Sequence, residues 1–346
     1  MFMKWLSFYL FLLLNAFFIC CNPSQSKDDV VSSDLQETDT LSELPNIPEV
    51  LEKQLLTADD IKLSKDFLYD RYTLDDIYPY KDTVRSFKWE VIRTCLAYIE
   101  NMQRDTAERW VVMQNYKNLH REAPLVHTFV RNAYGRVSDT LGVERYQSVP
   151  LYALSDTLIP IRYGRDGTIA YFRGEVGSFV RLLPVTFEEE WLAPVRYLQL
   201  LPDSTCFNHV VFVDRRDQNM VTLERFSKAN WLIRSMNPAT TGRHAPPYAQ
   251  ETPLGMYLLQ QKKTKMVFLK DGSKVTGGYA PYACRFTNGA YLHGIPVNSP
   301  RTTMIEYSWS LGTTPRSHMC VRNATSHSKF IFEWAPVLQS LVVVIE

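Results

Sequence analysis

The residues best suited to chemistry in this sequence form one run, Ser317-His318-Met319-Cys320-Val321-Arg322. An isolated cysteine is usually a small inert hydrophobe. Cys320 differs because it lies among Arg316, His318 and Arg322, and nearby positive charge favours the thiolate. Upstream, Leu292-His293-Gly294 follows Ala290-Tyr291 between strand-like runs, so His293 is expected to project from a rigid element. A thiol and an imidazole from separate elements are the minimum apparatus for covalent catalysis. The base takes the thiol proton and later returns one to the leaving group. Spacing alone does not bring the two into contact.

The remaining candidates have plainer readings. Besides Cys20 and Cys21 near the start, Cys95, Cys206 and Cys284 read as buried packing residues. No C-x-x-C pair occurs, so neither a zinc site nor a disulfide scaffold is expected, and no cofactor is implied. His120 and His127 lack acidic or cysteine partners at ligand spacing and read as surface or packing residues. His244 and His327 flank the informative segments. His327, seven residues after Cys320, is the rival base. Asn323-Ala324-Thr325 matches a glycosylation sequon by chance.

These groups need elements to hold them. From Phe207 to Glu346 the pattern is β-rich: His209–Asp214, Val221–Glu224, Trp231–Arg234, Met256–Leu259, Met266–Leu269 and Leu341–Ile345 all read as strands. Glycines 242, 255, 272, 277 and 278 punctuate them, and a sandwich or barrel with at most one or two helices is expected. Residues 57–146 are expected to be a helical region. Ile92, Leu96 and Ile99 repeat at helical spacing, and a second helix is expected from about Thr106 to His120, before Pro124. Residues 147–204 form short β-like runs, Leu158–Arg162 among them, that resemble a small SH3-like barrel. The alternative is a β extension of the next domain.

The start of the chain differs in kind. Lys4 precedes an apolar run from Trp5 to Ile19, short for a membrane-spanning helix and suited to a leader over 1–21. Phe18-Ile19-Cys20-Cys21 resembles a lipoprotein signal box, with Cys21 as the lipid attachment point and a membrane anchor as its consequence; the alternatives are a plain secretory signal or an uncleaved anchor. Residues 22–56, rich in Ser, Asp, Glu and Pro, read as a solvated tether. Export to the periplasm or cell wall follows. A net charge of +1 and 45% hydrophobic residues give no reason to expect a nucleic-acid partner and are ample for a packed core.

The ordered set of motifs resembles the YkuD-type L,D-transpeptidases. Their signature is a His-Gly followed, after a gap, by Ser-His-Gly-Cys-(Ile/Val)-Arg. Asp214 and Gln218 before Met220–Glu224 resemble that family's opening hairpin. Ala239-Thr-Thr-Gly242 and Thr252-Pro-Leu-Gly255 resemble its paired Ser-Thr-Gly and Thr-Pro-x-Gly elements. The likeness covers about 207–346 and assigns 205–346 as the catalytic domain, a mainly β fold.

It implies a peptidoglycan stem tetrapeptide as acyl donor, a Cys320 thioester, release of D-alanine and resolution by a second stem peptide. It further implies His293 as base, with the Gly294 carbonyl fixing its tautomer. Amides around Met319 and Cys320 would form an oxyanion hole beside Ser317 and His318. Arg322, two residues past Cys320, would grip a donor carboxylate, since in an extended piece both point to one face; the alternative is a structural ion pair. Tyr279, Tyr282 and Phe286 fall where the family carries a flap over the substrate, with core packing as the alternative. Two departures stand out: Met319 replaces the family's Gly, and the loop Pro296–Gly312 is long. The alternatives are an L,D-carboxypeptidase or cross-link hydrolase using the same thioester, and a non-catalytic wall-binding lipoprotein.

Overall fold

The computed structural model describes residues 55–104 and 107–346. The leader over 1–21 with Cys21, and the tether up to residue 54, lie outside the described residues.

Two apolar runs, His209–Asp214 and Ser340–Ile345, pair in parallel at the centre of the C-terminal region, Val210 opposite Leu341 and Val213 opposite Val344. Val210, Phe212, Leu341 and Val343 face one core, while Val211, Val213, Val342 and Val344 face another. Burial on both faces explains why these strands read as unbroken apolar runs instead of alternating ones. Asn219–Ser227 and Asn230–Pro238 add antiparallel strands on one side, and Gly255–Leu258 adds one on the other. Lys62–Lys65 joins beyond Asn230–Pro238 in parallel, completing a six-stranded sheet.

The first core lies between this sheet and helix α1 (Trp89–Met102), whose Ile92, Leu96 and Ile99 enter it as their spacing predicts. Glu100 of α1, only 3% exposed, holds Arg225 through two 2.8 Å hydrogen bonds and accepts from Trp231 Nε1–H at 3.0 Å. A buried carboxylate needs such pairing, and here the pairing fixes α1 to the sheet. The second core lies against a second sheet, in the order Gln261–Leu269, Thr276–Thr287, Ala290–His293 and Val321–Arg322, with helix α2 (Thr325–Trp334). The fold is mainly β, as expected.

The region ahead of it differs from expectation. The helix expected over Thr106–His120 does not form. Trp110–Met113 is a fully buried strand, paired with Ile169–Val176 and Leu198–Leu200. Its valines and tryptophan favour an extended, two-sided packed position. With Phe179–Pro184 and Trp191–Pro194 they make a five-stranded sheet around Val111, Met113, Leu182 and Tyr197. The expected border near residue 147 is therefore crossed, and α1 is the one α-helix among the described residues of 57–146. Leu158–Ile161 is not a strand; pairing begins at Arg162.

Candidate active site

Register places the reactive groups. Ala290–His293 runs parallel to Val321–Arg322, with Leu292 opposite Val321 and His293 opposite Arg322, while Cys284 lies opposite Leu292. Leu292, Val321 and Cys284 enter the second core with Ile331 of α2. Strand alternation then puts Tyr291, His293, Cys320 and Arg322 together on the opposite face. Cys284, 1% exposed, has its thiol pushed up to about 12 by burial, which makes it inert.

His293 is 3% exposed, and its Nδ1–H donates to the Gly294 carbonyl at 2.6 Å. The Nε2 lone pair is left free to accept a proton. Burial, helped by the Arg322 charge, lowers its pKa to about 4, and the Gly294 bond opposes that shift. Gly294 has no room for a side chain. A Cβ there would lie 2.7 Å from Thr325 Oγ1 and 2.9 Å from Pro281 Cγ. The Cys320 thiol is raised by burial, against the pull of the Tyr291 amide and Arg322. Burial thus works against the thiolate that neighbouring charge favours.

The segment carrying Cys320 is held by the paired motifs. Thr252 Oγ1 donates to the Met319 carbonyl at 2.8 Å and accepts from Gly242 N–H at 2.9 Å. Thr240 and Arg322 exchange backbone bonds of 2.8 Å, and Gln218 brackets Thr241 through its Nε2 (2.7 Å) and Oε1 (2.9 Å). Ser317 Oγ donates to the Cys320 carbonyl and accepts from Met319 N–H at 3.3 Å. Met319 adopts φ +133°, a conformation natural to glycine and strained for methionine. Since alanine and glycine both delete the methionine side chain, Met319→Gly is expected to be about 1–2 kcal/mol more stable than Met319→Ala. Equal denaturant midpoints would contradict the strain.

Arg322 makes no ion pair among the described residues, its Nε has no partner, and burial lowers its pKa despite the nearby thiol. A structural ion pair is therefore not its role. Arg243 adds a second positive charge near it, making an unneutralised pole beside Cys320. Cys320 itself is half-buried, with Sγ 3.5 Å from the Gly289 carbonyl.

The other expected residues divide. His318 is exposed and meets Asp271, at the tip of the hairpin Gln261–Thr287, at 2.9 Å. Tyr279 Oη donates to the Thr302 carbonyl at 2.7 Å, tying that hairpin to the long loop. Tyr282 is not at the site. Its ring meets Phe332 of α2, on the opposite face from Cys320, where it lines a shallow cavity of about 240 Å³ with Glu306 and Lys329. Phe286 is core. His244 contacts Tyr134 Oη (3.1 Å) and Glu251 (3.2 Å). His120 packs edge-on to Tyr197, and the His127 backbone binds Pro160. Asn323 is buried, its side chain spent on His327 and Ser328. Cys95, Cys206, Cys284 and Cys320 are all unbridged.

His327 is no rival base. It is fully buried on α2, accepting from Asn323 Nδ2 at 3.0 Å and donating to Ser235 Oγ at 2.8 Å, with its pKa lowered to about 3 by burial. With His293 it imposes a pH dependence. From an ordinary value of 6.5, folding depresses these two to about 3 and about 4. Below 6.5 the unfolded chain takes up protons that the folded chain refuses, so stability is full above that value and falls towards pH 4. Each histidine contributes about 1.4 kcal/mol per pH unit across that window. Thermal melts should drop steadily from pH 6.5 to 4, and a flat profile there would contradict the burial.

Sequence reasoning missed Tyr291 and Tyr116. Tyr291 stands two residues before His293 and was open to the alternation argument. Tyr116, whose hydroxyl lies 3.1 Å from that of Tyr291, comes from the preceding module and carries no local signal.

Residues 208–345 match the family model described as the L,D-transpeptidase catalytic domain, YkuD. Solved structures with similarity include an L,D-transpeptidase from Mycobacterium tuberculosis (19% identity, 51% of this chain and 76% of that one, TM-score 0.32). Others are LdtMt1 in complex with imipenem (17%, 51% and 77%, 0.34) and an L,D-transpeptidase from Stackebrandtia nassauensis (25%, 40% and 56%, 0.28). A search of curated proteins found no match. The structural similarities are low overall, and the assignment rests on the match over 208–345. Over those residues, less than half of its length, the chain is similar to the catalytic domain of the YkuD L,D-transpeptidase family.

Proposed function

We propose that this protein cross-links peptidoglycan stem peptides through a thioester on Cys320, releasing D-alanine. The observation that carries the reading is one shared face: Cys320 falls diagonally across from a buried His293 whose Nδ1–H is committed to Gly294. His293 Nε2 takes the thiol proton as Sγ bonds to the carbonyl carbon before the terminal D-alanine. The resulting oxyanion is held by amides near Met319 and Cys320, a type of contact worth about 3–4 kcal/mol. Collapse breaks the C–N bond, and the imidazolium returns its proton to the departing amine. An amine of a second stem peptide then attacks the thioester, His293 accepts its proton, and the thiol is restored. Unpaired Arg322 supports a carboxylate grip on the donor.

The apolar run after Lys4 supports export, and Cys21 a lipid anchor facing the periplasm or cell wall. Incubating purified protein with stem tetrapeptide and weighing the products tests the reaction. A cross-linked dimer plus free D-alanine is expected. Trimmed monomer alone would replace this reading with a carboxypeptidase, and no turnover would favour a wall-binding protein.

A further inference from the structure

The catalytic face extends past His293, away from Arg322. Lys263 of Gln261–Leu269 lies opposite Ala283, next to Cys284, and Ala283 therefore shares the face of His293 and Arg322. Lys263, Ala283, His293 and Arg322 form one row across four strands, with cations at both ends. Three strand spacings separate the ends by about 14 Å, room for a short extended peptide between Lys263 and the strand of Cys320 and Arg322.

The Lys263 end is built from two parts of the chain. Lys263 Nζ lies 5.9 Å from the centre of the Tyr291 ring, and Lys117 Nζ lies 5.4 Å from that of Tyr116. The two tyrosine hydroxyls are 3.1 Å apart. One must donate to the other, which leaves a second hydrogen for a ligand. Burial raises the Tyr291 pKa, so that hydroxyl stays a neutral donor. The nearby carboxylate, Asp166, is already committed to Arg285, to Gln260 at 2.9 Å and to the Asn288 amide at 3.1 Å. Arg285 in turn stacks 4.4 Å over Tyr116. Neither Lys117 nor Lys263 has an ion pair among the described residues, so two positive charges remain unmatched. Lys117 and Asn118 both hold left-handed conformations, φ +55° and +54°, pinned by the Lys117 amide to Gln147 Oε1 (2.8 Å) and the Gln147 amide to Asn118 Oδ1 (2.7 Å). Such strain persists where surrounding structure imposes it, often at binding sites.

We infer that Lys263, Lys117 and the Tyr116–Tyr291 pair form an anion subsite that takes a carboxylate of the acceptor peptide, opposite the donor pole at Arg322. The inference rests on the transpeptidase reading and deepens it. The preceding module is then part of the acceptor site, with Lys117 and Tyr116 supplied from outside the catalytic domain.

The test measures dimer and trimmed monomer against acceptor concentration for the wild type, Lys263→Gln, Lys263→Arg and Lys117→Gln, with melting temperatures alongside. Lys263→Gln should raise the acceptor concentration for half-maximal dimer about tenfold, with the saturating rate kept within about twofold. Lys263→Arg should restore most of that, and Lys117→Gln should show a smaller shift. An acceptor amidated at its carboxylate should lose about tenfold on the wild type and nothing further on Lys263→Gln, as expected for one shared contact. A wild type and Lys263→Gln that dimerise alike, or an amidated acceptor used as well as the free acid, would overturn the subsite alone. A wild type yielding only trimmed monomer would overturn the transpeptidase reading and the subsite with it.

Discussion

His293→Ala is expected to slow acylation of Cys320 by about 10²–10⁴-fold, the usual contribution of a positioned general base. The size follows from the resting state. Burial holds the Cys320 thiol above its ordinary range, so few thiolates exist at neutral pH without a base. In the wild type the acid limb of the rate profile should lie near the lowered His293 pKa of about 4, well below an ordinary histidine. In the variant the rate should instead keep climbing with pH, because the thiol must ionise unaided. Stopped-flow acylation by a carbapenem across pH 4–10 checks both features. A variant within tenfold of the wild type, or one with an unchanged profile, would remove His293 from the chemistry. His327→Gln should leave the acid limb in place, since that ring bonds to Ser235 and Asn323 on the far side of the sheet.

Gly242→Ala is the second large effect, and its cause is backbone alone. A Cβ at this position would overlap the Gln250 carbonyl oxygen and lie 2.7 Å from Met319 Cα and 2.8 Å from Thr252 N. No side-chain rotation relieves contacts with main chain. Overpacking of this kind costs about 1–3 kcal/mol or more. At roughly 2–4 °C per kcal/mol for a domain of this size, a drop of several degrees in melting temperature is expected. The strain also falls where it matters for function, since Met319 adjoins Cys320 and is already held at φ +133°. Acylation should therefore slow by at least about tenfold, because a shift of about 1 Å near reacting atoms suffices for more than that. Unchanged melting and unchanged acylation together would show that the Gly242–Met319 packing is not tight.

The catalytic half was legible because its signals are local. His209–Asp214 and Ser340–Ile345 are apolar runs too short for helices, and both lie at the sheet centre. Thr-Thr-Gly242 and Thr252 were visible as motifs, but their purpose was not. They buttress Met319 through hydrogen bonds that join residues 67 apart in the chain, a relation no window of sequence contains. The same limit explains Lys62–Lys65, whose strand exists only because Asn230–Pro238 offers it an edge. Trp110–Met113 was misread as helix because apolar residues at mixed spacing fit either period. Pairing with Ile169–Val176 decides it. Tyr282 was placed at the site by its position in the flap region, whereas its left-handed backbone, φ +51°, and its contact with Phe332 turn it towards α2.

With Cys320 as the nucleophile and His293 as its base, acylation should mark one sulfur. Intact-mass analysis and peptide mapping after exposure to a carbapenem test it most directly. One adduct per chain is expected, located on Cys320, lost in Cys320→Ala and retained in Cys284→Ala. An adduct on Cys95, Cys206 or Cys284, or a folded wild type that remains unmodified, would contradict it.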